Sequence, residues 1–308
     1  MYNFVKNISK NIINKIFNFG IAGSCLVKDL ELNSKNNLVS QIEQRHLLFF
    51  YKNLLFNKKF LPKINEVGFR SFSQTDEDGI LLYIFAVIGT DSKICVDIAF
   101  ANPFGANTTN LICNWGWTGL LVCGSQKDKI FSDDYFKKHP DTFLHVPKII
   151  NKWVTAENIN DIIKEAGITG TIDLLSLDID GVDYWVWEKL EIVNPRVIVV
   201  EFNYVLDFER SITIPYKDNF VRKDFEDDYY GASIQAFIKL ADIKGYRLVA
   251  FNKYYFNAFF VKKDLGLDLL PTLYINNYNN YYSNSPWIYE DLKKRYEKVK
   301  NLPWVEID

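Results

Sequence analysis

Histidine, cysteine and methionine are scarce: three, four and one, respectively, in 308 residues. Cys25, Cys95, Cys113 and Cys123 lie far apart without a CxxC pair, so neither zinc-binding spacing nor a disulfide framework is visible. A reducing, cytoplasmic setting is the simpler expectation. No apolar run reaches the ~18 residues a membrane span needs. Residues 1–20 interleave Lys and Asn with Ile and Phe, unlike the apolar core of a secretion signal. Neither sign of charge dominates, with 36 basic and 38 acidic residues giving a net charge of -2, so a nucleic-acid partner is not expected. What is abundant is apolar: 48% hydrophobic against 24% charged excludes a disordered or fibrous chain.

This length suits one enlarged domain with appendages. Residues 1–68 form a basic arm: the first 60 hold nine Lys/Arg against Asp29, Glu31 and Glu43. Phe4, Ile8, Ile12, Ile13, Ile16 and Phe17 recur at helical spacing. Such a helix packs on its own domain with Lys facing water, or lets residues 1–20 touch an anionic membrane surface. From Phe72 the pattern changes to short apolar runs. The composition predicts strands at Ile94–Ile98, Gly119–Val122, Thr142–His145, Asp173–Leu177, Val197–Phe202, Arg247–Phe251 and Ala258–Val261. Helices are predicted at Glu77–Ile88, Thr108–Asn114, Ala156–Ala166, Tyr184–Leu190 and Ser233–Lys244. Strands of nearly continuous Val, Ile and Leu that alternate with helices imply a mainly parallel, doubly wound α/β sheet. The last two runs are joined closely, which suits an antiparallel pair. Seven strands with one reversed near the edge are therefore expected over residues 69–265. Residues 266–308, rich in Tyr and Asn before a helix-like end, read as a surface extension without its own chemistry.

In such a sheet ligands bind beyond the carboxyl ends of the strands. The run Leu177-Asp178-Ile179-Asp180-Gly181-Val182-Asp183 releases three carboxylates within six residues, which costs energy unless a cation or donors compensate. The next strand delivers Glu201 and Asn203, spaced to share one side of an extended backbone. Asp180, Glu201 and Asn203 would make an all-oxygen site for Mg²⁺ or Mn²⁺. The competing reading has Asp178 and Asp183 bonding backbone N–H groups, with Glu201 paired to a Lys or Arg. After the first strand, Asn107 or Thr108 would cap a helix opening above the sheet. His145, at a predicted strand end, is a weaker candidate base. Tyr229, Tyr230 and Trp287 are candidates to line an acceptor pocket.

Ser73-Gln74 with Glu77-Asp78-Gly79, Asp97 at a strand end, Leu177-Asp178-Ile179-Asp180-Gly181 with Asp183-Tyr184, and Glu201-Phe202-Asn203 follow in an order that resembles the FkbM-like class I S-adenosylmethionine-dependent methyltransferases. Gly231-Ala232-Ser233, Lys244-Gly245-Tyr246 and Asn257-Ala258-Phe259-Phe260-Val261 are similar too. The resemblance covers about Phe72 to Leu265. It implies a Rossmann-like fold and methyl transfer to a hydroxyl of a sugar, polysaccharide or secondary metabolite. A small-molecule or glycan acceptor follows, with Asp180 and Glu201 as catalytic residues. It further implies S-adenosylmethionine held by Gln74, Asp97, Ala99, Asn102, Asn107, Ser125 and Asp178. The family's acid-x-Gly-x-Gly-Asp-Gly run is replaced here, with Asp97, Ala99, Ala101, Asn102 and Pro103 at the matching positions, and Cys123 stands where the second strand would end in an acid. Those departures define the alternative: a catalytically degenerate relative that serves as a binding or partner subunit.

Overall fold

A computed structural model of the chain describes residues 41–206, 208–225, 228–275 and 286–308, with backbone alone at 223 and 286–289. The arm at 1–20 and its predicted contacts lie outside the described residues. The chain divides into two compact units, Met1–Phe50 and Tyr51–Asp308. Residues 51–68 and 266–308 are grouped with the second unit. In the first unit, residues 41–50 are helical.

The second unit is built on a seven-stranded sheet with α-helices α1 (Glu77–Ile88), α2 (Thr109–Trp115), α3 (Gln126–Lys138), α4 (Ile159–Glu165), α5 (Asp183–Lys189), α6 (Ile234–Ile243) and α7 (Pro286–Val299). Its strands are β1 (Ile94–Ile98), β2 (Thr118–Cys123), β3 (Lys148–Asn151), β4 (Gly170–Leu177), β5 (Val193–Glu201), β7 (Tyr246–Phe251) and β8 (Asn257–Lys262), while β6 (Ile212–Thr213) pairs separately with β9 (Val305–Glu306). The order across the sheet is β3-β2-β1-β4-β5-β8-β7. Strands β1 to β5 run parallel, and β8 is antiparallel to both neighbours. The fold is thus the expected Rossmann-like, mainly parallel sheet with one reversed strand beside the edge.

The central strands lose both faces to helices, which is why they read as unbroken apolar runs: Val197 to Val200 of β5 are 0% exposed. Helix α1 is apolar nearly all round and buried from Glu77 to Ala86, as a helix enclosed by the fold must be. Glycine is required at Gly119, where a Cβ would sit 1.7 Å from the Cys95 carbonyl oxygen. Sequence and structure disagree around the third strand. Residues 142–145 form a turn after α3, with Thr142 Oγ1 donating to the Phe136 carbonyl at 2.6 Å, and the strand is Lys148–Asn151. His145 is consequently an exposed turn residue and not a strand-end base.

The chain leaves β1 outward to β2 and β3, then returns to place β4 on the other side of β1. This change of direction opens a crevice between the carboxyl ends of β1 and β4, beside the end of β5.

Candidate active site at the carboxyl ends of three strands

At the end of β1, Asp97 is buried and accepts a hydrogen bond from Thr108 Oγ1 at 2.6 Å and another from Ser176. Burial pushes its carboxyl up to about 7. Asn107 Nδ2 donates to Ser176 Oγ at 3.1 Å, so these side chains satisfy one another. Thr108 occupies the cap position of α2 but makes no side-chain cap, because its hydroxyl goes to Asp97; the expected cap is replaced by a link to β1. Ala99 has φ +66°, the left-handed region that glycine enters freely and alanine does not. The turn after β1 therefore keeps a glycine-like path with an alanine in it. Asn102 Oδ1 accepts from the Phe104 N–H at 2.8 Å, closing a local turn. Ser125 caps α3, accepting from the Asp128 N–H at 3.1 Å and donating to the Asp128 carboxylate. The Cys123 thiol is fully buried at the end of β2 and pushed up to about 12, chiefly by burial. Beside it, the Cβ direction of Gly124 meets nothing within 4 Å. Gln74 is exposed and lines a cleft of about 1180 Å³ whose walls include Phe60, Asp76 and Tyr254.

The ends of β4 and β5 bring three carboxylates together. One oxygen each of Asp178, Asp180 and Glu201 lies within 4.8 Å of the others. Asp178 and Glu201 share a hydrogen bond, which two carboxylates can make only if one is protonated. Burial, then the neighbouring Asp183 and Asp180 charges, pushes Asp178 up to about 7. Burial and Asp178 hold Glu201 well above the ordinary carboxylate range. Glu201 Oε2 is buried and has no hydrogen-bond partner among the described residues. Asp180 adopts φ +59° and meets Arg222 Nη1 at 2.5 Å. Asp183 turns back to accept from the N–H groups of Ile179 at 2.7 Å and Gly181 at 3.0 Å, shaping the turn that presents Asp178 and Asp180. The backbone-bonding role thus belongs to Asp183, while Asp178 pairs with Glu201.

Asn203 does not join this cluster through its side-chain nitrogen. Its Nδ2 donates to the carbonyls of Asp228 and Tyr230 at 2.8 and 2.9 Å, and its Oδ1 accepts from the Val205 N–H. The expected ligand is a strut that fixes the loop leaving β5. That loop supplies residues no motif announced. Phe220 packs against Gly181, where a Cβ would lie 2.5 Å from its ring. Arg222 sits over the Tyr230 ring at 3.6 Å from the centroid, and Tyr230 is 1% exposed with no partner for its hydroxyl. Tyr229 is committed elsewhere, its hydroxyl donating to the Pro303 carbonyl at 2.8 Å. The side chain of Trp287 lies outside the described residues.

No family model and no curated protein matches the sequence. Among solved structures the chain is similar to magnesium protoporphyrin IX methyltransferase from Synechocystis PCC 6803 with bound S-adenosylmethionine. The identity is 10%, covering 60% of this chain and 77% of that one, with a TM-score of 0.37. It is similar also to an O-methyltransferase from Bacillus cereus in complex with S-adenosylhomocysteine (12%, 64% and 85%, TM-score 0.40). A third is a methyltransferase from Aquifex aeolicus (10%, 57% and 85%, TM-score 0.33). Likenesses of this size decide no activity, and the fold rests on the strand order itself.

Proposed function

We propose that this chain is an S-adenosylmethionine-dependent O-methyltransferase acting on a hydroxyl of a small molecule or glycan, such as a sugar, a polysaccharide or a secondary metabolite. The observation that carries this reading is the carboxylate cluster at the switch point of the sheet, with Glu201 Oε2 left unpaired beside it. The turn at Ala99 and the open space at Gly124 fit the approach of the cofactor to the backbone. Asp178 and Asp180 would hold its amino end, and bound there it supplies an electrophilic methyl group. Cys123 provides no carboxylate for the ribose hydroxyls, and a thiol is a weak acceptor. Glu201 would take the acceptor's proton once a neighbouring positive charge favours its ionised form. Arg222 lies close enough to contribute such a charge.

The three carboxylates also fit Mg²⁺ or Mn²⁺ as a hard, all-oxygen set, with Asp178 in the place expected of Asn203. Bound there, the metal would lower the pKa of an acceptor hydroxyl. Among the described residues Cys95, Cys113 and Cys123 are buried and form no disulfide, which supports the reducing setting proposed for the chain. Among the described residues no helix is long and apolar enough to cross a membrane.

Isothermal titration with S-adenosylmethionine and S-adenosylhomocysteine, with and without Mg²⁺, tests the proposal. Micromolar binding that Asp180→Ala removes is the expected result. Absence of heat from folded protein at millimolar ligand would sink it in favour of the degenerate binding module, the reading that Cys123 favours.

A further inference from the structure

The cleft of about 1180 Å³ lies apart from the carboxylate cluster, since none of Asp178, Asp180 and Glu201 is among its walls. Those walls come from the chain ahead of α1, from β7 with the turn that leads to β8, and from residues 268–273. Direct bonds hold them together. Tyr83 Oη donates to the Pro62 carbonyl at 2.7 Å, the Lys253 N–H to Asp76 Oδ1 at 2.8 Å, and Asn252 Nδ2 to Glu77 Oε1 at 3.0 Å. The Leu273 N–H donates to the Leu248 carbonyl of β7 at 2.8 Å. The cleft is thus formed by the fold itself, as ligand sites usually are.

Two kinds of side chain in these walls are left unused by the fold. The Phe60 and Tyr254 rings are 101% and 58% exposed, and among the described residues neither packs on another ring. Exposed rings forgo the burial that draws most aromatics inward. Each has a cation beside it in the chain: Lys59 adjoins Phe60, and the Lys253 ammonium lies 5.4 Å from the Tyr254 ring centroid. With Lys63 and Arg70 the walls carry four cations, none in an ion pair among the described residues. Three acids share the walls, but Asp76 accepts from the Lys253 N–H and Glu66 from the Lys63 N–H at 3.3 Å, leaving Asp268. The balance is a small positive excess in a chain whose net charge is -2.

This lining is selective. A cationic ligand would meet unpaired ammonium groups, a neutral one would leave them without counter-charge, and a bare inorganic anion would leave both rings in water. An excess this small does not hold a polyanion. We propose that the cleft is a second ligand site, which takes a planar aromatic anion of one or two charges, its ring against Phe60 and Tyr254 and its charged group at the neighbouring lysines. The site is independent of methyl transfer and of the carboxylate cluster.

The test titrates the full chain by calorimetry with naphthalene-1-sulfonate, with the neutral 1-naphthalenemethanol and with inorganic phosphate. The sulfonate should bind one to one, and each of the other probes at least tenfold more weakly. Phe60→Ala and Tyr254→Ala should each weaken the sulfonate by roughly tenfold, as loss of a stacked ring does. Both rings are exposed, so Tm should hold within a few degrees and separate lost binding from lost folding. Lys253→Gln should weaken it about threefold, and less so at high salt. No sulfonate binding to folded protein overturns the proposal, as does undiminished binding by both ring variants. Equal affinity for the neutral probe would show an apolar groove without charge selection, and equal affinity for phosphate an anion site without ring recognition; either result overturns it too. Displacement of the sulfonate by S-adenosylhomocysteine would make the cleft part of the cofactor site and end its independence. A failure of S-adenosylhomocysteine to bind at all sinks the methyltransferase reading alone, because sulfonate binding is read without it.

Discussion

Ala99 holds a left-handed backbone at φ +66°, which costs an alanine about 1–2 kcal/mol relative to glycine. Glycine would in turn cost about 0.4–1 kcal/mol through the greater freedom of the unfolded chain. The first effect is larger, so Ala99→Gly should stabilise the protein by about 0.5–1 kcal/mol in urea unfolding; a loss of stability would show that the methyl group is needed in the turn. Asp97 makes a pH prediction. Its folded carboxyl is raised to about 7, while the unfolded one titrates near the usual ~3.9. Below the unfolded value both states are protonated. As pH rises from about 4 to 7 the unfolded chain sheds its proton first, so stability falls, by up to about 4 kcal/mol from this group. Asp97→Asn should flatten that part of the stability curve between pH 4 and 7, and an unchanged slope would refute the assignment.

Between elements, Asp173 joins β4, β5 and the turn before β1. It is fully buried, pairs with Arg196 Nη1 at 2.6 Å and accepts from the N–H groups of Asp91 and Lys93. Removing one member of a buried pair leaves an uncompensated charge and costs about 3–5 kcal/mol. Asp173→Ala should lower unfolding free energy by that amount, whereas a change within 1 kcal/mol would mean solvent reaches Arg196. Strands such as β4 and β5 were legible because burial on both faces forces a continuous Val/Ile/Leu run. Helix α3 was not anticipated, since its QKDKIFSDDYFKK sequence buries only Ser132 and Phe136 and carries little apolar periodicity. Its neighbour β3 is short, with Ile149 its one buried residue, so Thr142 to His145 offered a rival apolar run. Of the cluster of Asp178, Asp180 and Glu201, Asp180 and Glu201 were readable as partners from strand-end position alone, whereas Asp178 stands where Asn203 was expected. Arg222 and Phe220 were not, because their placement depends on how the loop after β5 folds back, which no local spacing encodes. Asn203 misled for the same reason: its spacing from Glu201 presumed an extended strand, and the chain turns there instead.

At the scale of the whole second unit, the C-terminal residues form part of the support for the site. Tyr229 donates to the Pro303 carbonyl and its ring meets Trp304 edge-on at 4.8 Å. Strand β9 pairs with β6, the Ile307 N–H donates to the Ser211 carbonyl at 2.7 Å, and Arg295 bonds Asp228 through Nε and Nη2. Asp228 and Tyr229 immediately precede Tyr230, and the Asp228 and Tyr230 carbonyls are those that Asn203 grips. Removing residues 302–308 would therefore strip a ring contact and one hydroxyl bond from the segment that carries Tyr230, and the β9 pairing and the Ile307–Ser211 bond from β6 and the residue before it. At about 1 kcal/mol per buried hydrogen bond plus the aromatic contact, the loss is on the order of 3–4 kcal/mol. For a unit of this size that corresponds to a fall in Tm of roughly 6–16 °C. The seven-stranded sheet owes none of its pairings to these residues, so far-ultraviolet circular dichroism below the transition should be unchanged. Site order should suffer: hydrogen exchange of the amides at 228–231 should quicken while those of β4 and β5 stay protected. Equal protection at 228–231 in the shortened chain would show that Asn203 holds the loop without help from the C-terminal residues.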